Sequence, residues 1–268
     1  MTKRIAFTLA VVVGLTLVFA GLAAAQTKPG PSLTSNQPGL GQGKKTGPPP
    51  PLCPPSGTLS CLFYGGDGDP TSGNANGLWD NNNSYFGING VIYTPFTAPA
   101  KTDKCGGKCD WGISGLFQAD QMYPYPPTVD SVAWSIVSGV AAGGTPAGTT
   151  VLCSGTDSTP ALLDTGRLYF GFYEEYDVVA HVSGCPTLEG AKGGTEYWET
   201  VQVNTSIYQL AYASNVPDAV PPNAYGPAEP VDQSFFFAPS FGFSTFTNTN
   251  TLGYFHLFSS GVEGALTK

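Results

Sequence analysis

The stretch from Gly65 to Gly87, GGDGDPTSGNANGLWDNNNSYFG, concentrates oxygen-bearing side chains that could bind a calcium ion. An EF-type loop needs a glycine at its sixth position and a glutamate at its twelfth. When Asp67 is counted as the first position, Ser72 and Leu78 occupy these two places, which excludes such a loop. Two interpretations stay open, a long turn and an irregular calcium site, because asparagine, aspartate and glycine favour turns for backbone reasons alone. The ligands of the irregular site would be Asp67, Asp69, Asn74 and Asp80.

Carboxylates in the second half of the chain could support glycoside hydrolysis, which needs an acid and a base or nucleophile at a suitable separation. Adjacent Glu174 and Glu175 would point to opposite faces of a strand, whereas Glu175 and Asp177 could share one face. We also expect that Glu196 and Glu199 could share a face. The alternative interpretation is that these carboxylates solvate the outside of an acidic sheet.

Aromatic rings in loops offer a simpler chemistry, because a ring can stack on a sugar while nearby amides and carboxylates bind the hydroxyl groups. The segment QMYPYPPT is predicted to be a surface loop, since its three prolines cannot complete a strand ladder. Trp79 stands in the loop-like stretch from Gly65 to Gly87, and Tyr123 and Tyr125 stand in QMYPYPPT. These three residues are therefore our candidate ligand-binding residues. Trp134 and Trp198 stand in strand-like segments and are expected in the core.

Several other kinds of site have no support in the sequence. It contains no GxSxG, HExxH, Walker or GxGxxG motif. Its two histidines, His181 and His256, stand in apolar strand-like contexts, where a histidine is more often a strand residue than a general base. A net charge of −8 without basic clusters makes nucleic acid and anionic lipid unfavourable partners.

The N-terminus has the order of a secretory signal peptide. Lys3 and Arg4 precede an apolar run from Ile5 to Ala20, and a small-residue cleavage site ends at Ala25. The apolar run is shorter than the roughly 20 residues that a membrane-spanning helix needs. We therefore predict a signal peptide at residues 1–25, a secreted mature protein that is extracellular or periplasmic, and no membrane span in the mature chain.

The mature chain divides into a spacer, one domain and a short tail. Residues 26–60 are rich in proline and glycine, and such a composition predicts a disordered or polyproline-II linker. One domain follows at residues 61–264, and residues 265–268 are predicted to be a C-terminal tail.

Six cysteines in an exported chain predict disulfide bonds. Pairing of sequence neighbours is one of many possible arrangements, and Cys153 with Cys185 would then close the longest loop and stabilise most. A zinc site at Cys105 and Cys109 would need two further ligands, and the nearest histidine in the sequence is His181. The neighbouring pairs are Cys53 and Cys61, Cys105 and Cys109, and Cys153 and Cys185.

Short segments rich in β-branched and aromatic residues recur along the domain and are separated by glycine, proline, asparagine or aspartate. Examples are SVAWSIVSGV, RLYFGFY, DVVAHVSG, EYWETVQVN, SIYQLAYA, QSFFFAPSFGF and GYFHLFSSGVEG. No segment shows a sustained helical period of apolar residues. The pattern predicts an all-β fold, an antiparallel two-sheet sandwich of jelly-roll type with long loops.

Several segments together resemble a group of exported bacterial β-sandwich proteins. They are YGGDGDPTSGNANGLWDNNNS, GGTPAGTTVLCSG, LYFGFYEEYDVVAHVSG, GGTEYWETVQVNTS, LAYASNVPDAVPPNAYGP and HLFSSGVEG. Such proteins occur among acidobacterial and related secretomes, and some carry C-terminal sorting signals of the PEP-CTERM kind. The resemblance covers most of the chain from Leu62 to Gly264. It implies export and a sandwich fold, and it brings no catalytic residues with it.

These observations predict a secreted, non-catalytic binding or structural module. A polysaccharide or the extracellular matrix is the expected partner, and calcium is the one cofactor that the residues could hold. The alternative is a carbohydrate-active enzyme that uses paired carboxylates.

Overall fold

The computed structural model describes residues 60–66, 79–83, 89–98, 110–189, 195–214, 234–249 and 258–267. Outside the described residues lie the predicted signal peptide, the spacer up to residue 59, and the side chains of Asp67, Asp69, Asn74, Cys53, Cys61, Cys105 and Cys109. The strands are β1 (Ser60–Tyr64), β2 (Trp79–Asp80), β3 (Asn82–Asn83), β4 (Val91–Ala98), β5 (Asp110–Tyr123), β6 (Ser131–Ser138), β7 (Thr150–Asp157), β8 (Ala161–Tyr169), β9 (Tyr173–His181), β10 (Thr195–Asn204), β11 (Leu210–Ala213), β12 (Phe235–Ala238), β13 (Phe243–Asn248) and β14 (Ser260–Thr267). Two short 3-10 helices span Pro146–Gly148 and Pro239–Phe241.

The described strands form two seven-stranded sheets that pack together, which confirms the predicted all-β, two-sheet antiparallel sandwich. In the first sheet β9 lies between β8 and β5. The other edge of β5 pairs with β14 along its first part and with β11 along its last part. β1 lies beyond β14, and β2 lies beyond β11. The second sheet has the order β13, β12, β4, β10, β6, β7, and the short β3 pairs in parallel with β10. In this part of the chain no helix combines the length and apolar character that a membrane crossing requires.

The main core lies between the sheets and draws on both of them. Leu116 and Val178 come from the first sheet, and Val201 comes from the second. The ring of Phe96 in β4 stacks on Trp111 in β5 with centroids 5.9 Å apart, and this contact joins the two sheets. Alternation along each strand explains the arrangement, because every second side chain of a strand faces the opposite sheet.

The two tryptophans that were expected in the core are buried, as predicted. Trp134 retains 5% of its exposure and Trp198 retains 4%. Trp134 belongs to the main core between the sheets, whereas Trp198 packs in a separate cluster with Val137 and Phe246.

A disulfide joins Cys153 to Cys185 and confirms the third predicted pair. Cys153 lies in β7 of the second sheet, and Cys185 lies in the segment that follows β9 of the first sheet. The bond closes a loop of 32 residues, for which loop entropy predicts a stabilisation of about 4 kcal/mol.

Three predicted segments have different limits in the structure. RLYFGFY contains a hairpin turn, because Phe170 adopts φ 54° and Gly171 adopts φ 79° between β8 and β9. In SIYQLAYA only Leu210–Ala213 forms a strand. At the C-terminal end, β14 continues to Thr267 by pairing with the start of β5, where the sequence pattern predicted a tail after Gly264.

Candidate functional site

Exposed aromatic rings gather at the end of the first sheet where β5 stops. Tyr123 is 39% exposed, Tyr125 is 45% exposed and Tyr208 is 41% exposed. These three residues are named the tyrosine patch. Ile207 is also exposed, and it lies in the loop that carries Tyr208. The prediction of a surface loop over QMYPYPPT is correct for Tyr125, whereas Gln121, Met122 and Tyr123 belong to β5 and the first two of them are fully buried.

A second layer of rings supports the tyrosine patch from behind. Tyr123 meets Phe172 and Tyr173 edge-on, with centroid distances of 6.1 Å in both cases. Tyr173 in turn contacts Tyr212 at 5.7 Å. Burial, together with the neighbouring hydroxyl groups of Tyr208 and Tyr123, raises the pKa of Tyr173 to about 12. The rings of Tyr123, Tyr173 and Tyr212 thus form a continuous run of edge-on contacts.

Buried Gln209 holds the two loops of the patch together. Its Oε1 accepts a hydrogen bond from the Thr128 amide at 2.9 Å, and its Nε2 donates to the Pro124 carbonyl at 3.1 Å. Pro124 cannot extend the β5 ladder because it has no amide hydrogen. The bonds from Gln209 thus replace the strand pairing that ends at Tyr123, and they fix the loop that carries Tyr125.

Trp79 does not belong to this surface, and its selection as a candidate ligand-binding residue is corrected. Only 7% of the residue is exposed, and its ring packs edge-on against Phe236 at 4.9 Å. The reason lies in the pairing of β2 with β11, which places Trp79 opposite the small Ala213 in a second core cluster.

Asp80, the one predicted calcium ligand within the described residues, is buried and accepts two hydrogen bonds. Oδ1 accepts from Asn82 Nδ2 at 2.9 Å, and Oδ2 accepts from the Gly90 amide at 3.1 Å. A side chain at position 90 would come within 2.3 Å of the Asp80 carbonyl oxygen, so this close approach requires glycine. Burial raises the pKa of Asp80 to about 7, against the lowering effect of hydrogen bonds from the backbone amides of Gly90 and Asn82.

The calcium site stays a prediction, since its other three ligands lie outside the described residues. Within the described ranges, no group of three or more His, Cys, Asp or Glu side chains is placed to hold a metal ion. Both carboxylate oxygens of Asp80 are already engaged by the chain itself.

The carboxylates of β9 have the predicted faces, but the described contacts of Glu175 are structural. Glu175 and Asp177 pair with Gln121 and Ala119 of β5 and so share a face. Glu175 is fully buried: Oε2 accepts a hydrogen bond from the Tyr169 hydroxyl at 2.8 Å, and Oε1 forms an ion pair with Arg167. Burial is the main cause that raises the pKa of Tyr169, and the nearby Glu175 carboxylate adds to this effect. Both oxygens of Glu175 are thus occupied and shielded from solvent.

Glu196 and Glu199 do not share a face, which corrects the second predicted pair. β10 runs without a bulge through both positions, so residues three apart point in opposite directions. Glu199 faces the sandwich core and is 1% exposed. Its pKa is raised well above the ordinary range by burial, with a smaller opposing effect of the Ser260 hydroxyl.

Glu199 lies in a buried polar cluster between the sheets. Glu199 in β10 lies opposite Thr94 in β4, and Gln118 in β5 lies opposite Ser260 in β14. The Ser260 hydroxyl acts on the Glu199 carboxyl group and so links the two pairs. All four residues are at most 1% exposed, and the side-chain oxygen and nitrogen atoms of all four lack a well-formed hydrogen bond. Leaving a buried polar group unpaired costs about 1–3 kcal/mol, so neutral Glu199 is the form that this core favours.

His181 behaves as the partly exposed strand residue that the sequence predicts. It ends β9, its side chain is 68% exposed, and its Nδ1 lies 2.7 Å from Asp157 Oδ2. Burial alone would raise the pKa of Asp157, but hydrogen bonds from the His181 amide, the Thr159 amide and the His181 ring hold it below its ordinary value. His256 lies outside the described residues.

Two residues of the site were missed by the sequence patterns. Tyr208 and Gln209 stand inside SIYQLAYA, which was predicted to be a continuous strand, yet both precede the start of β11 at Leu210. The polar run Asn204–Ser206 before them was the available signal of a loop. The partners of Gln209, at Pro124 and Thr128, are set by the fold and have no local signature.

Comparison of the chain with protein-family models, with curated proteins and with solved structures gives no match. The exposed rings of the tyrosine patch are therefore the feature of the described residues that bears most directly on function.

Proposed function

We propose that this protein is an exported, non-catalytic binding module whose tyrosine patch takes a polysaccharide of the extracellular matrix. One observation carries the proposal. Seven large apolar or aromatic side chains are exposed in the described residues, and four of them lie in the patch or on its border. An exposed aromatic surface of this kind is typical of a binding site. The four are Tyr123, Tyr125, Ile207 and Tyr208.

The rigidity of the patch supports this use. Phe172 and Tyr173 fill the space behind Tyr123, and Gln209 fixes both loops. A surface that is already ordered loses little conformational entropy when a ligand binds, so more of the stacking free energy appears as affinity. Tyrosine suits a sugar ligand because its ring packs against the apolar face of a pyranose while its hydroxyl stays hydrated.

The carboxylates of β9 favour a binding role over catalysis. A glycosidase needs an acid and a second carboxylate that both reach the glycosidic bond. Glu175 is enclosed and bonded through both of its oxygens. Its role is to anchor the bulged end of β8, where Thr165 Oγ1 also donates to it at 3.0 Å.

Export is part of the proposal. The signal-like order of residues 1–25 supports it, as does the Cys153–Cys185 disulfide, since such bonds persist in oxidising compartments. The resemblance to exported bacterial β-sandwich proteins is compatible with it and names no ligand.

Affinity electrophoresis of the oxidised protein through gels that contain soluble polysaccharides tests the proposal. We expect retardation by at least one polysaccharide, and Tyr123→Ala and Tyr208→Ala should each weaken binding about fivefold, since one ring contact contributes about 1 kcal/mol. Phe241→Ala is the matched control, because Phe241 is 56% exposed but lies in the 3-10 helix between β12 and β13. Retardation that survives both tyrosine substitutions would show that the patch is not the binding surface.

A further inference from the structure

Two neighbouring loops cross the end of the sandwich between the sheets. Residues 124–130 follow Tyr123 and lead from β5 in the first sheet to β6 in the second, and residues 205–209 lead back from β10 in the second sheet to β11 in the first. These two loops are named the end strip, and they carry Tyr125 and Tyr208. Because stacked sheets lie about 10 Å apart, the end strip is long enough to contact neighbouring sugar units of one polymer.

Asp130 fastens the two loops of the end strip where it adjoins the second sheet. Its Oδ2 accepts a hydrogen bond from the Ser206 amide, and its own amide donates to the Asn204 carbonyl at 3.0 Å. Ser206 stands shortly before Tyr208 in the same loop. The Asp130 carboxylate and the Tyr208 ring are therefore held on the same short stretch of surface.

The Asp130 carboxylate is open to a ligand. Asp130, Tyr125, Ser206, Ile207 and Tyr208 are all exposed, so a polymer that lies over the end strip meets both the rings and the carboxylate. Hydrogen bonds from the Ser206 side chain and amide lower the pKa of Asp130, which keeps the group ionised at neutral pH. A carboxylate can accept about four hydrogen bonds, so lone pairs remain for a ligand beside the bonds from Ser206.

The described residues supply no free cation to offset this charge. Arg167 is the single lysine or arginine among them, and its guanidinium forms an ion pair with buried Glu175. A polymer with carboxylate or sulfate groups would consequently be repelled at Asp130. The hydroxyl groups of an uncharged polymer can instead donate to the carboxylate, and a hydrogen bond to an ionised acceptor is roughly twice as strong as one between neutral groups.

We propose that Asp130 is the polar contact of the tyrosine patch, and that the ligand is an uncharged polysaccharide whose hydroxyl groups donate to this carboxylate. The inference rests on the proposed function and names its substrate class. One sugar unit stacks on Tyr208, and hydroxyl groups of the same unit or the next donate to Asp130. A pyranose has an apolar face and a rim of hydroxyl groups, so the ring and the carboxylate recognise different parts of the sugar.

Affinity electrophoresis with pairs of polymers that share a sugar backbone and differ in charge tests the inference. The pairs are hydroxyethylcellulose with carboxymethylcellulose, dextran with dextran sulfate, and galactomannan with its sulfated form. We expect at least one uncharged polymer to bind the oxidised protein at least about tenfold more tightly than its anionic counterpart. Asp130→Asn should weaken binding of that uncharged polymer about tenfold and reduce the exclusion of the anionic one. Added salt should also reduce this exclusion.

Asp130→Asn separates the charge of this residue from its structural role. The Oδ1 atom of asparagine can still accept the Ser206 amide, so hydrogen exchange of that amide should stay slow in the variant. Weaker binding with unchanged exchange supports direct contact with the sugar. Weaker binding that occurs only together with fast exchange of the Ser206 amide would overturn the inference, because Asp130 would then act by holding the loop.

Glu189→Gln is the matched control for net charge. It changes one exposed carboxylate beside Leu188, which bridges to Trp111 at the opposite end of β5 from Tyr123. Binding of the uncharged polymer and exclusion of the anionic one should both be unchanged in this variant. An equal effect of Glu189→Gln and Asp130→Asn would contradict the inference, since net charge alone would then explain the preference.

The remaining outcomes separate this inference from the function on which it rests. If both members of a pair bind equally, or only the anionic members bind, and Tyr208→Ala weakens that binding, the binding function holds and the role of Asp130 is wrong. If no polysaccharide retards the protein, both proposals fail.

Discussion

Replacement of Asp80 by asparagine is expected to change how the stability of the protein depends on pH. The Asp80 side chain is buried beside Asn82 and Gly90, and burial raises its pKa from an ordinary 3.8 to about 7. The folded protein therefore holds a proton that the unfolded chain releases, and stability falls as pH rises from about 4 through about 7. The difference between the two values corresponds to about 4 kcal/mol, all of it lost above the folded-state pKa.

The neutral amide should avoid this loss. Asparagine at position 80 can still accept the Gly90 amide, and its Nδ2 can donate to Asn82 Oδ1, which has no partner in the described part of the chain. This exchange requires rotation of the Asn82 amide, which gives up a long 3.3 Å bond to the Ala211 carbonyl. We therefore expect similar stability of the two proteins at pH 4 and a variant more stable by up to about 4 kcal/mol at pH 8.

Urea unfolding followed by tryptophan fluorescence measures both proteins across this range. A chelator is present throughout, so that a metal bound through Asp80 cannot contribute. The difference in unfolding free energy between variant and wild type isolates Asp80 from the other buried carboxyls, Asp120 and Glu199, whose pKa values are also raised by burial. A difference that stays constant within about 1 kcal/mol from pH 4 to pH 8 would refute the reasoning.

Three further changes test other parts of the structure. Joint replacement of Cys153 and Cys185 by alanine should lower the unfolding free energy by about 4 kcal/mol, and reduction of the wild type should lower the thermal midpoint similarly; no change in either would contradict the loop-entropy argument. Glu199→Gln should be at least as stable as wild type at pH 8, because burial favours the neutral form; marked destabilisation in a chemical unfolding series would instead indicate an ionised Glu199 with a cationic partner. Gln209→Ala should speed hydrogen exchange of the Thr128 amide and weaken polysaccharide binding, and unchanged exchange would show that Gln209 does not hold the loop.

The fold class was predictable because local patterning and the core agree. In EYWETVQVN, alternate residues of β10 face the opposite sheet, and the period of two in the sequence records this directly. The hairpin in RLYFGFY was not predictable in the same way. Phe170 has a high preference for strands, yet it adopts a positive φ at the turn, so its residue type gives the wrong signal.

The candidate site was only partly predictable, and the reason is the distance in sequence between its parts. Tyr123 and Tyr125 were found because prolines beside them end a strand ladder, which is a local effect. Trp79 was placed wrongly because its burial depends on Phe236, far away in the sequence. Gln209 was missed because its amide acts on Pro124 and Thr128 of another loop.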